Sequence, residues 1–153
     1  MSAAGTIFVR NRQRRHRVDM RAFRKLARTL LDELLRQPYT ELGVYVVGAP
    51  EMTRLNESFL RHRGSTDVIT FDYSEPPPKT ESPPAPLCGE IFVCLDEALI
   101  QARRFRTDWQ TELTRYVVHG VLHLCGYDDH HPAARRRMKR EENRLLRILR
   151  TRR

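Results

Sequence analysis

The sequence predicts an α+β fold, with one small mixed sheet and helices packed on it. Two observations carry this. Short runs rich in β-branched and apolar residues alternate with longer segments whose apolar positions recur every three or four residues. Their order along the chain reads β-α-β-α-β-β-α-α-α, which suits helices on a single sheet. With 153 residues, 40% of them hydrophobic, the chain can bury one core, so a single domain over 1–153 is expected.

Residues 6–9 form the first strand. Asp19 caps a helix reaching about residue 36, with Phe23, Ala27, Leu30, Leu31 and Leu34 at helical spacing. Residues 42–47 (LGVYVV) are a β-branched strand, and Pro50 opens a second helix through about residue 60. Residues 67–71 (DVITF) are a third strand. Residues 74–88 then hold six of the chain's nine prolines. Proline lacks the N–H that regular structure needs, so this stretch reads as a Pro-rich surface loop inserted between two strands. Residues 89–95 are the fourth strand, and Asp96 caps a helix through about residue 105. Thr107 or Asp108 caps the next helix, which runs to about residue 125 and ends at Gly126. Pro132 starts the last helix, with Met138, Leu145, Leu146 and Leu149 as its apolar contacts.

Composition excludes several classes. No stretch approaches the roughly 18 apolar residues of a membrane span, and the first seventeen residues lack the apolar run of a secretory leader. Cys88, Cys94 and Cys125 are odd in number and show no CxxC spacing, so a disulfide framework is not expected and a cytoplasmic location is. The net charge is +9, and it is uneven. Residues 10–28 and residues 133–153 each carry +8, against −7 in the rest of the chain. Two such clusters suit a phosphate backbone, as in RNA. A solvated, arginine-rich surface would read the same way.

The informative stretch is His119-Gly-Val-Leu-His123-Leu-Cys-Gly126-Tyr127-Asp128-Asp129-His130-His131. Histidines at i and i+4 share a helix face, with β-carbons about 5–6 Å apart, so both imidazoles can reach one ion. Gly126 breaks the helix three residues later, letting the chain turn back with a third ligand. The spacing is similar to the metzincin pattern HExxHxxGxxH, in which the third ligand stands ten residues after the first. Here that residue is Asp129, with His130 one position beyond as the alternative. Three protein ligands leave a zinc position open, the arrangement of a catalytic rather than a structural site. The metal site then sits at the end of a helix. The peptidase pattern also needs a Glu after the first His as general base. Here that residue is Gly120, which disfavours a metallopeptidase.

HGVLHLCGYDD closely resembles the signature of the YbeY family of bacterial rRNA maturation endoribonucleases, HGxLHLxGYDH. Two further blocks stand upstream in family order: Leu55-Asn56 with Phe59 and Thr66-Asp67-Val68-Ile69-Thr70-Phe71, then Gly89-Glu90-Ile91-Phe92-Val93. Together the blocks span residues 55–129, and the tail Met138…Glu141-Glu142 also fits. The resemblance implies a single α+β domain, one Zn2+ ion, metal ligands at His119, His123 and Asp129, and a cytoplasmic enzyme. It also implies a role in rRNA processing and ribosome quality control, with precursor rRNA and the ribosomal subunit as partners. Two departures stand out. The family's third ligand is usually His, and a carboxylate lowers the net charge of the site by one. Where the family often carries an Arg after its aromatic, this chain has Leu60, so Arg61 or Arg63 is the candidate to meet the RNA phosphate.

Asp128 is read as a general base or as a group orienting a ligand histidine. Trp109, Tyr116 and Tyr127 are read as packing residues rather than base-stacking platforms. Two alternatives stay open. An RNA- or ribosome-binding assembly factor with a structural metal would bind RNA and leave it intact. A hydrolase of small phosphoesters would turn over a chromogenic phosphodiester and ignore salt.

Overall fold

A computed structural model describes residues 5–75 and 85–152. Its first two strands, β1 (Thr6–Asn11) and β2 (Tyr39–Val47), run parallel. Parallel strands need a crossover, and α1 (Met20–Arg28) supplies it. Asp19 caps α1 as expected, its carboxylate accepting the Ala22 N–H at 3.1 Å. The helical pattern expected to reach residue 36 changes character on the way. Thr29–Leu34 widens into a π-helix that buries both Leu30 and Leu31, and Arg36 closes it in the left-handed region at φ 48°.

The α2 helix (Ala49–Phe59) follows β2, then β3 (Val68–Asp72) and β4 (Leu87–Cys94). The sheet order is β1-β2-β4-β3, with β2 and β4 parallel and β3 antiparallel to β4. It is the mixed sheet that the sequence predicts. The proline-rich insertion joins this antiparallel pair. Its base is closed by the Tyr73 N–H donating to the Cys88 carbonyl at 2.8 Å and the Cys88 N–H donating to Ser74 Oγ at 3.1 Å. The prolines of residues 76–84 lie outside the described residues.

Alternate residues of each strand face opposite sides. Leu42, Val44 and Val46 of β2 join Ile91 and Val93 of β4 in the main core, against α1 and the three C-terminal helices. Val47, Ile69, Phe92 and Cys94 face the other way and pack with Met52 of α2. Those C-terminal helices are α3 (Leu95–Phe105), α4 (Trp109–Leu124) and α5 (Pro132–Thr151). Asp108 caps α4, accepting the Thr111 N–H at 2.7 Å.

One expected cap moves. The α3 helix begins two residues earlier than its pattern suggests, with Cys94 rather than Asp96 as N-cap. Asp96 therefore lies inside the first turn, and its carboxylate serves α2 instead. It accepts the Ala49 N–H at 2.6 Å and pairs with Arg15 at 2.7 Å. Gly48, the N-cap of α2, has no side chain to do this. Among the described residues no helix is long and apolar enough to cross a membrane.

Candidate metal centre

Two packing events place the histidines. The first is the seat of α4 on the sheet. A β-carbon on Gly120 would come within 2.7 Å of Ile91, so only glycine lets the helix approach β4 this closely. The second is the helix end. The Tyr127 N–H donates to the Leu122 carbonyl at 3.0 Å, and Gly126 adopts φ 99°, a left-handed closure that glycine adopts without strain. The chain turns back there and lays Asp129 beside the helix face that carries His119 and His123.

His119, His123 and Asp129 each offer one ligand atom to a common point, all within 4.8 Å of one another. Asp129 Oδ2 stands 3.4 Å from His123 Nε2 and 4.0 Å from His119 Nε2. Tetrahedral zinc with bonds of about 2.0–2.2 Å needs donors about 3.3–3.6 Å apart. The His123–Asp129 separation falls within that range, and the His119–Asp129 separation is somewhat wider, so this chemistry of two imidazoles and a carboxylate could hold such an ion. All three side chains are part-exposed, so a substrate has access.

His130 takes no part in this set. Its side chain is 83% exposed and faces Asp128 at 3.7 Å. Asp128 does not orient a ligand histidine either. It accepts the His130 N–H at 2.9 Å, and that bond, with the charges of His130 and His131, holds its carboxyl below the usual range.

The group that does meet one of the two paired histidines is Glu142 of α5. Its Oε2 accepts from His119 Nδ1 at 3.0 Å, while Oε1 accepts from Arg115 at 3.0 Å. Glu142 is only 4% exposed. Burial pushes its carboxyl up, but the hydrogen bonds from His119 and Arg115 and the charge of Lys139 outweigh burial and leave it below the ordinary value. The sequence reading did not assign it a role. A signal was present, since Glu142 falls on the stripe Met138, Leu145, Leu149, where an apolar residue is expected.

Arg61 and Arg63 lie, exposed, on the loop between α2 and β3. Asn56, itself buried, pins this loop by donating to the Gly64 carbonyl at 2.9 Å. Arg61 adopts φ 55°. Among the described residues neither arginine makes a hydrogen bond or ion pair with the histidines or Asp129. Trp109, Tyr116 and Tyr127 pack against the main core, as expected. Burial pushes the Cys125 thiol up to about 11, consistent with a packing role.

Peptide hydrolysis on the metzincin plan has no place for its base. The position after the first histidine faces the sheet, where Ile91 leaves no room for a glutamate. Fold and site together define the class: an α+β protein with an open three-donor centre of the metal-dependent hydrolase kind.

The comparisons agree. The family model described as Endoribonuclease YbeY matches residues 8–150. An endoribonuclease YbeY of Chlorobium luteolum is 40% identical over 109 residues, covering 71% of this chain and 74% of that relative. One from a Nocardioides species is 32% identical over 139 residues, 90% of this chain and 93% of the relative. The solution structure of TM1509 from Thermotoga maritima shares the fold, with a TM-score of 0.58 at 23% identity, covering 95% of this chain and 93% of that one. The chain belongs to the endoribonuclease YbeY family, a family of hydrolytic nucleases.

Proposed function

We propose that this chain is a zinc-dependent endoribonuclease that acts on single-stranded regions of precursor rRNA, in ribosome maturation and quality control. One observation carries the reading: the convergence of His119 Nε2, His123 Nε2 and Asp129 Oδ2 at the end of α4 in a chain of this family. These three residues hold the ion and leave a face open to the phosphodiester. The ion, when bound, supplies Lewis acidity toward a phosphoryl oxygen and a lowered pKa for water.

The chain's own residues do the rest. His119 keeps its second ring nitrogen on Glu142, so the imidazole is oriented before any ligand arrives. Arg61 and Arg63, on their pinned loop, neutralise charge on the scissile phosphate or its neighbours, as a guanidinium can meet two phosphate oxygens. The exposed arginines of α1 (Arg21, Arg24, Arg28) and of α5 (Arg136, Arg140, Arg147) hold the RNA backbone without reading its sequence. A single domain over 1–153, working in the cytoplasm beside the ribosomal subunit, completes the proposal.

The test is elemental analysis of the wild-type chain, His123→Ala and Asp129→Ala, followed by cleavage of a single-stranded RNA by the same samples. One zinc per chain, lost in both variants together with cleavage, is the expected result. Retention of zinc by Asp129→Ala would remove Asp129 from the ligand set. A wild type that binds RNA but leaves it intact would instead favour an assembly factor with a structural metal.

A further inference from the structure

The side-chain network on the far side of His119 specifies more than packing. Glu142 lies on α5, 23 residues from His119, and its two oxygens are used differently. Oε1 faces only cations, with Arg115 at 3.0 Å and Lys139 at 3.5 Å. Oε2 faces His119 Nδ1 at 3.0 Å. Arg115 is held in turn by Glu112 at 3.9 Å, which is buried and accepts the Thr107 hydroxyl at 2.7 Å. A charged residue this deeply buried is costly unless it is paired. Met138 and Leu145 fill the same stripe of α5 with apolar side chains, so packing alone does not require an acid at this position.

We propose that Glu142 is a positioning residue: bridging Arg115 and His119, it holds His119 in the tautomer that leaves Nε2 free for the metal. This rests on the reading of His119 as a ligand. A carboxylate only accepts, so His119 Nδ1 carries the hydrogen. A neutral imidazole has one N–H, and Nε2 is therefore left with its lone pair. Nε2 is the atom that faces Asp129.

The isosteric variant Glu142→Gln makes a sharp prediction. Arg115 can only donate, so it claims the amide oxygen and turns the amide NH2 toward His119. Nδ1 must then accept, and the hydrogen moves to Nε2, the ligand atom. Shape and packing stay the same while the tautomer inverts.

The experiment uses the full metal-free chain at about pH 8, where imidazole is neutral. The two ring nitrogens of His119 are read by 15N NMR, and zinc affinity is then measured by competition titration. The expected wild type shows Nδ1–H and a bare Nε2. Glu142→Gln shows the reverse and binds zinc about 10–100-fold more weakly. Leu145→Ala, which loosens the same helix, lowers the melting temperature and leaves the tautomer and zinc affinity unchanged.

A wild-type proton on Nε2 overturns the proposal without any variant. So does Glu142→Gln with wild-type tautomer and affinity, or an equal loss of affinity in Leu145→Ala. A wild type that binds no zinc would defeat the reading of the whole centre, and this inference with it.

Discussion

Two regions flank or carry the residues that the sequence nominates for chemistry, the seam behind His119 and the loop of Arg61 and Arg63, and they are built in opposite ways. Along the seam between α4 and α5, the buried acids Glu112 and Glu142 are each held by other side chains. Thr107, Glu112, Arg115, Glu142 and His119 form a continuous series of contacts that ends at the three-donor cluster. On the loop after α2, the backbone is held and the side chains are not. Asn56 and Glu57 fix the Gly64 peptide groups at 2.9 and 3.2 Å, while Arg61 and Arg63 stand in solvent. The seam is preorganised, as the proposed metal centre requires, because a misplaced donor would cost affinity directly. The loop suits a partner that is itself flexible and charged, since long cations can follow a phosphate without being fixed beforehand.

Substitutions can break this contrast, and they rank by how much of the seam they remove. His123→Ala is the most severe. RNA cleavage should fall by more than about 100-fold with zinc lost, because even the outer partners of a ligand are worth about 10–100-fold. Residual metal-dependent cleavage near the wild-type rate would show that His123 is not a ligand. Leu145→Ala removes a fully buried side chain of α5. It should lower stability by about 2–5 kcal/mol, measured by denaturant unfolding. A loss under about 1 kcal/mol would mean that α5 docks through its charges rather than its apolar stripe.

Gly126→Ala forces a β-carbon into the left-handed region and should cost about 1–2 kcal/mol. Nothing crowds this glycine, so the cost is conformational. Zinc affinity should fall with it if the turn is what delivers Asp129, and unchanged affinity would separate the two. Arg61→Ala and Arg63→Ala should be the mildest, each leaving stability within about 0.5 kcal/mol. Each should also reduce the slope of log binding constant against log salt by about 0.7, the single-strand value for one lost phosphate contact. An unchanged slope in both would take the loop off the RNA path.

The site was legible in the sequence to the extent that it is local. The i, i+4 histidines, the glycine break and the carboxylate at the tenth position all lie within eleven residues, and helix geometry converts that spacing into proximity. The structure brings Asp129 beside His119 and His123, while the exposed His130 groups with Asp128 and Asp129. Gly120 was read only as a missing base. Its positive role, admitting α4 onto Ile91, required knowing which face of the helix meets the sheet. Asp96 was misassigned for a related reason. An acid near a helix start reads as the cap of its own helix, yet this one caps a different helix 47 residues upstream.

By itself the sequence determined the run of strands and helices, the cap at Asp19, the stop at Gly126 and the placing of His119 and His123 on one helix face, because each depends on neighbours within a turn or two; it left the α4 cap between Thr107 and Asp108, and the third donor between Asp129 and His130. Only the tertiary structure decided the order β1-β2-β4-β3, the service of Asp96 to α2 and the place of Glu142 behind His119. These join residues far apart in the chain. No short-range pattern records which helix will lie against which, since that is settled by burying the apolar faces of all the elements at once.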